Sequence, residues 1–249
     1  MKLYSYLKKI VYTFFPKKVI QQNEERLRYL YANLFYRGKN CQCNICTKKF
    51  SRFILLDNGN LVCPYCGSLS RNRRLWQILK EKKLLKGNIL HFSPNRALYR
   101  VLKQLNYVEY TSTDFVDEFL ADKKLNITNI ASPAERFDLV ICYHVLEHIE
   151  EDQLAMSELY RVLKIGGIVM IQTPFREGEI YEDATIKSPQ ERLKYFGQED
   201  HVRIYSVEGL IERLEKVGFQ SEVLTFNEAS TGMGLKVNEN VILAYKTNS

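Results

Sequence analysis

The chain has 249 residues, 45% hydrophobic and 26% charged, with twelve glycines and six prolines, which excludes collagen-like and linker-like sequences and fits a globular protein of one large domain or two modest ones. No apolar run nears the ~20 residues that span a bilayer, and Ile10–Phe15 is too short for a secretory core, so the reading expects a soluble, cytoplasmic chain. The net charge of +7 is uneven: residues 1–86 hold 19 Lys/Arg against 4 Asp/Glu, and residues 87–249 hold 17 against 25. A basic third of this kind suits a nucleic acid or the surface of an anionic membrane, and equally a solvated lysine-rich face.

In chain order, Leu3, Leu7, Ile10 and Phe14 repeat at helical spacing, and Lys8, Lys9, Lys17 and Lys18 lie off that stripe or just beyond it. Such a basic amphipathic helix can pack on its own domain or lie on a membrane. A second helix is expected from an N-cap at Asn23, with Leu27, Leu30, Tyr31, Leu34 and Phe35 buried and Gly38 beyond its end. Residues 1–40 thus read as basic helices, 41–70 as a small metal-binding ribbon, and 71–249 as an α/β domain.

The ribbon rests on cysteine spacing. Cys43-x2-Cys46, sixteen intervening residues and Cys63-x2-Cys66 are two knuckles able to close a tetrahedral Zn²⁺ site. Between them, Phe50–Val62 reads as strand, Asn58-Gly59 turn and strand. Four thiolates leave no open coordination position, so this zinc is structural. Cys41 remains as a free thiol or substitute ligand, and Cys142 lies in an apolar run as a core residue.

From residue 87, strands and helices alternate. Strands are expected at Asn88–Phe92, Tyr107–Thr113, Phe137–Tyr143 and Ile168–Gln172, and helices at Arg96–Leu105 and Gln153–Leu163. A helix at Val207–Val217, capped by Gly218, and strands at Ser221–Phe226 and Asn240–Ala244 follow. This alternation predicts a doubly wound, mostly parallel sheet with ligands at the carboxyl ends of its strands. The segment Glu177–Glu199 reads as irregular and charged, in the manner of a lid.

Two stretches carry a resemblance. Phe137–Ile149 with its sequel Glu158–Gly167 resembles the fourth-strand region of class I S-adenosylmethionine-dependent methyltransferases, in the branch often called type 11. Cys63–Arg71 and Phe196–Tyr205 are similar to a subgroup of that branch with an N-terminal zinc ribbon. The resemblance implies a Rossmann-like fold over roughly residues 87–246 and transfer of a methyl from S-adenosylmethionine to an O or N atom. The acceptor is an unassigned glycan precursor, other small molecule or RNA, and Arg71, Arg73 and Arg74 would suit an RNA.

The family's usual glycine-rich first loop is His91-Phe92-Ser93-Pro94-Asn95 here, with no glycine between Gly87 and Gly166. The resemblance makes His91, Ser93, Pro94 and Asn95 first-loop cofactor contacts and Asp114 the acceptor for the ribose hydroxyls. It sets Asn126 and Ile127, in a third-strand segment, beside the adenine, and Tyr143 and His144 at the methionine end. His144, Asp200 and His201 become candidate catalytic residues, with His201 as base, Asp200 or Glu199 fixing its tautomer, and Arg203 facing an acidic substrate group. A cluster that merely pins the lid is the alternative for the last four. His144-x-x-Glu147-His148 also spells an H-x-x-E-H string. It follows a strand directly, which argues against a metallopeptidase and puts Glu147 and His148 on a helix surface or behind the site. A zinc-ribbon binding module with a degenerate catalytic half is the alternative for the whole chain.

Overall fold

In the computed structural model, residues 17–116 and 119–248 are described. The expected helix over Leu3–Phe14 lies outside them. The described residues form two compact units. One takes in the chain through Glu81 together with Arg96–Val101 and Glu228–Val237, and the other holds the remaining residues.

The first unit opens with helix α1 (Lys17–Phe35). Asn23 lies inside this helix rather than at its cap, because the helix already runs from Lys17. The stripe expected to be buried is turned outward: Leu27, Leu30, Leu34 and Phe35 are all exposed and Tyr31 is half-buried, and among the described side chains of this helix Ala32 is the buried one. The contacts are made instead by charged side chains: Glu24 is ion-paired with Arg96 and, within the helix, with Arg28, and Glu25 is ion-paired with Arg100.

Two short antiparallel hairpins follow, β1 (Cys41–Gln42) with β2 (Lys49–Phe50) and β3 (Ile54–Leu55) with β4 (Leu61–Val62). The expected Asn58-Gly59 turn joins β3 to β4, with Gly59 at φ 73°. Helix α2 (Ser70–Glu81), which the sequence reading did not anticipate, buries Leu75, Trp76, Ile78 and Leu79. It also buries Arg73 completely. The Arg73 guanidinium donates to the carbonyls of Ser68, Leu61, Met233 and Gly234 and stacks 4.3 Å over the Phe53 ring. Gly234 permits this approach: at φ 64°, a Cβ there would meet Phe53 at 2.6 Å and the Arg73 guanidinium at 2.8 Å. Arg74, also buried, donates to the Lys236 carbonyl and to Gln77. Arg73 and Arg74 therefore hold their own unit together and are not presented to an RNA.

The second unit is built on a six-stranded sheet. Its strands are β5 (Gly87–Phe92), β6 (Val108–Thr113), β7 (Phe137–Tyr143), β8 (Leu163–Gln172), β12 (Phe219–Phe226) and β13 (Glu239–Lys246). Their spatial order is β12-β13-β8-β7-β5-β6. All pairs are parallel except those of β13, which runs antiparallel to both neighbours. This is the mostly parallel doubly wound sheet expected from the alternation. In chain order helix α3 (Arg96–Lys103), most of which belongs to the first unit, follows β5, while α4 (Asp152–Val162) joins β7 to β8 and α6 (Val207–Val217) precedes β12. Gly218 ends α6 in the left-handed conformation, as expected. The register shift between β7 and β8 accommodates Gly166-Gly167. Leu90, Val140, Met156, Leu159, Val169 and Ile242 are fully buried in the core.

Two expectations differ. Asn126–Thr128 forms a turn with an isolated bridge to Asn129 rather than a third strand. Asn126 Oδ1 accepts from the Thr128 amide at 3.0 Å and its hydroxyl at 2.9 Å, a side-chain turn that competes with sheet pairing. Residues 177–199 are also more regular than expected. They contain β10 (Tyr181–Glu182) and helix α5 (Pro189–Phe196), which begins with a Ser188–Glu191 capping box. β10 and β9 (Phe175–Arg176) flank β11 (Arg203–Ser206) in a small separate sheet. Among the described residues no helix is long and apolar enough to cross a membrane.

Candidate functional site

In an open α/β sheet, ligands bind where the strand order reverses, at the carboxyl ends of the strands. Here that point lies between β5 and β7, since β5 pairs β6 on one side and β7 on the other. The chain leaves β5 through Ser93, a non-glycine residue at φ 46°, and leaves β7 through His144 at φ 54°. Left-handed backbone is uncommon outside glycine and concentrates at functional sites. Ser93 thus takes the conformation for which the usual glycine would be chosen. Its amide donates to the Thr113 carbonyl at 2.7 Å, and its hydroxyl donates to Asp114 Oδ1 at 2.7 Å. The Phe119 amide donates to Asp114 Oδ2 at 3.2 Å. The buried Asp114 carboxylate is held at the end of β6, beside the first loop.

Of the other first-loop residues, Pro94 is buried and Asn95 half-buried. His91 is turned into the core, with Nδ1 3.1 Å from the Tyr110 hydroxyl. Burial pushes its imidazole down to about 3. Ile127 is buried with the core and Asn126 is exposed. Tyr143 is buried at the end of β7 and His144 is half-buried just past it. The sequence reading missed Gln172 and Thr173 at the end of β8. Their side-chain oxygens, Gln172 Oε1 and Thr173 Oγ1, are buried without a hydrogen-bond partner. Their only sequence signal was their place after the strand that follows Gly166-Gly167. Ser93, Asp114, Tyr143, His144, Gln172 and Thr173 thus stand at the carboxyl ends of four neighbouring strands. Orphaned buried polar atoms together with a buried carboxylate are the kind of lining that a polar ligand completes.

The Asp200–Arg203 segment is anchored on the chain just after β7. The Val202 amide donates to the Glu147 carbonyl at 2.9 Å. Arg203, only 6% exposed, donates to the carbonyls of Ile149 and Glu150 and to the Glu182 carboxylate. Those bonds favour the pinning alternative for Arg203 over a substrate contact. His201 is buried, with Nδ1 against the Phe196 carbonyl at 3.2 Å. That carbonyl, and neither Asp200 nor Glu199, holds its tautomer, while Asp200 Oδ2 instead lies 3.0 Å from His148 Nδ1. Burial holds the His201 imidazole below its ordinary value. Glu147, expected at a surface or behind the site, is 1% exposed within a single 3-10 turn (Leu146–His148).

In the first unit, Cys43, Cys46, Cys63 and Cys66 converge. The Cys43–Cys66 and Cys46–Cys63 sulfur pairs are each 3.7 Å apart. A tetrahedral site with Zn–S bonds of ~2.3 Å has edges of about 3.8 Å, so the sulfurs already stand at metal-binding separation. Hydrogen bonds from the Cys46, Cys63 and Cys66 thiols hold the Cys43 thiol well below its ordinary value. Ser68 Oγ lies 3.5 Å from the Cys43 sulfur and 3.2 Å from that of Cys66. Cys41 is outside the cluster, with its sulfur near the carbonyls of Ser51 and Thr231.

A family model described as a methyltransferase domain matches residues 63–223. A search of curated proteins finds no significant match. Among solved structures, an S-adenosylmethionine-dependent methyltransferase from Archaeoglobus fulgidus superposes with a TM-score of 0.52 at 15% identity, covering 72% of this chain and 95% of that one. Phosphoethanolamine N-methyltransferase 2 of Haemonchus contortus, solved with S-adenosyl-L-methionine, gives 0.51 at 16% identity, covering 73% and 53%. The CurJ carbon methyltransferase gives 0.48 at 17% identity, and the chain spans 53% of its length.

Proposed function

Because the chain belongs to the methyltransferase-domain family, whose model matches more than half of it, we propose that it moves a methyl group from S-adenosylmethionine to an oxygen or nitrogen of a small polar acceptor. The observation that supports this most directly is the buried Asp114 carboxylate, bonded to Ser93 beside the point where the strand order reverses. When bound, S-adenosylmethionine supplies a methyl on a sulfonium, which an in-line nucleophile displaces with little further chemistry from the protein. Asp114 accepts the ribose hydroxyls, a task for two acceptor oxygens, and Ser93 orients it. Pro94 and Asn95 shape the first loop. Asn126 and Ile127 border the adenine, and Tyr143 and His144 border the methionine end. His201 lies toward the acceptor, where its Nε2 can accept a proton while the Phe196 carbonyl holds Nδ1. Asp200 acts at one remove, on His148.

A small acceptor is favoured over RNA because Arg73 and Arg74, which had suggested a nucleic-acid patch, are buried on backbone carbonyls. Cys43, Cys46, Cys63 and Cys66 would hold a structural Zn²⁺, consistent with their 3.7 Å sulfur spacings. Calorimetric titration with S-adenosylhomocysteine and S-adenosylmethionine tests the reading. Saturable binding of both supports an enzyme, and binding of neither to the folded, zinc-replete chain supports a non-catalytic module.

A further inference from the structure

The H-x-x-E-H string His144–His148 does not form the two-histidine helix face of a metallopeptidase, since it spans a turn and a single 3-10 turn. The fold instead gives it a different third partner. Glu147, His148 and His201 each offer a ligand atom, and these atoms lie within 4.8 Å of one another. The His148 and His201 rings meet edge to face with centroids 4.7 Å apart.

Two further observations point to a ligand. Glu147 is 1% exposed, and beyond His144 Nδ1, 3.2 Å from Oε1, and its own backbone amide its carboxylate oxygens have no hydrogen-bond partner. His201 is 3% exposed and its Nε2 is also unpartnered. A carboxylate buried this deeply is costly to desolvate, and a bound cation offsets that cost. Both histidines, moreover, already have an acceptor at Nδ1: Phe196 O for His201 and Asp200 Oδ2 for His148. A proton fixed on Nδ1 leaves the Nε2 lone pair outward, which is how metal-binding imidazoles are oriented by a carboxylate or carbonyl behind them. The Val202–Glu147 backbone bond ties the two contributing segments together.

We propose that Glu147, His148 and His201 form a second metal site, for a first-row divalent cation with Zn²⁺ as the best match. Two imidazoles and one carboxylate are a donor set for such ions, and three protein ligands leave a position open for water or an acceptor oxygen. Bonds of ~2.1 Å place tetrahedral ligands about 3.4 Å apart, so side-chain rotation from the present 4.8 Å limit closes the site. A cation on His201 Nε2 uses the lone pair that would otherwise accept a proton, and polarisation of the acceptor then passes to the cation. The site shares no ligand with the four cysteines, and its test does not depend on methyl transfer.

The 249-residue chain is equilibrated with ZnCl2 alone, freed of loose metal on a weak chelating resin, and its zinc content per chain is measured. The wild type should hold two zinc ions. Glu147→Gln, His201→Ala and His148→Ala should each hold one, and Cys63→Ser should lose the other. His148 is 29% exposed and is the replacement least able to disturb the fold. Titration of each variant with S-adenosylhomocysteine, alongside circular dichroism, separates loss of the metal site from failure of the cofactor reading. A wild type with one zinc, or a second zinc retained in all three variants, overturns the proposal.

Discussion

Asp114→Asn changes the charge at the end of β6 while keeping the shape of the side chain. In the structure this buried carboxylate accepts the Ser93 hydroxyl at 2.7 Å on one oxygen and the Phe119 amide at 3.2 Å on the other. Asparagine offers one acceptor oxygen and one NH₂, so it can satisfy one of these donors and must turn a donor toward the other. A ribose diol that needs two acceptors meets the same mismatch. Hydrogen bonds to a charged group contribute about 1.5–3 kcal/mol. At about 1.4 kcal/mol per tenfold, the dissociation constant for S-adenosylhomocysteine should rise roughly 10- to 150-fold. Ser93→Ala removes only the hydroxyl that orients the carboxylate and leaves both acceptor oxygens in place, so the constant should rise by less than in Asp114→Asn, roughly 10-fold or under. Titration calorimetry on variants with wild-type circular dichroism reads both. An Asp114→Asn protein that is folded and binds with an unchanged constant would refute the placement of the ribose and the reasoning built on it.

Arg73→Ala leaves the carbonyls of Ser68, Leu61, Met233 and Gly234 without their charged donor. It should destabilise the first unit by about 3 kcal/mol or more, because each buried acceptor left unsatisfied costs about 1–3 kcal/mol, and Arg73→Lys should recover little because an ammonium lacks the planar fork. Chemical denaturation measures both, and a loss under ~1 kcal/mol for the alanine variant contradicts the account. Cys63→Ser should abolish tight Zn²⁺ binding at the four-cysteine site proposed above and expose the hairpins to protease, because so small a metal-binding segment depends on its metal; unchanged Zn²⁺ binding there would move the ligand set. His91 gives a pH signature. Its folded value is depressed by burial to about 3 from an ordinary 6.5, so between those values the unfolded chain binds the proton and the folded chain does not. Its contribution is present above pH 6.5 and is lost as pH falls, at about 1.4 kcal/mol per unit, or about 2 kcal/mol by pH 5. Denaturation at pH 7 and pH 5 should show an acid-induced loss smaller by that amount in His91→Asn, and an equal loss in both proteins would mean that His91 does not titrate this way.

Local spacing was enough for the elements that local chemistry decides. Strand β7 (Phe137–Tyr143) and helix α6 (Val207–Val217) were legible to the residue, the first as a continuous apolar run and the second from helical spacing closed by Gly218. The four-cysteine cluster was legible because two tight knuckles and a hairpin dictate it from spacing alone. The position of Asp114 followed from its place at a strand end. What the sequence could not decide was which face of an element is turned inward, and which distant segments meet. The stripe Leu27, Leu30, Leu34 and Phe35 looks like a core face, yet it is exposed, while Glu24 and Glu25 make the contacts to Arg96 and Arg100. Arg73 looks like part of a basic surface, yet carbonyls from residues 61, 68, 233 and 234 enclose it. Glu147 and His201 lie 54 residues apart in the chain and become neighbours only when the Val202 amide bonds the Glu147 carbonyl. Periodicity records what one segment prefers by itself. Burial of a charge, and the partners that make it tolerable, belong to the packed whole, because desolvation is set by every chain segment that displaces water from the group.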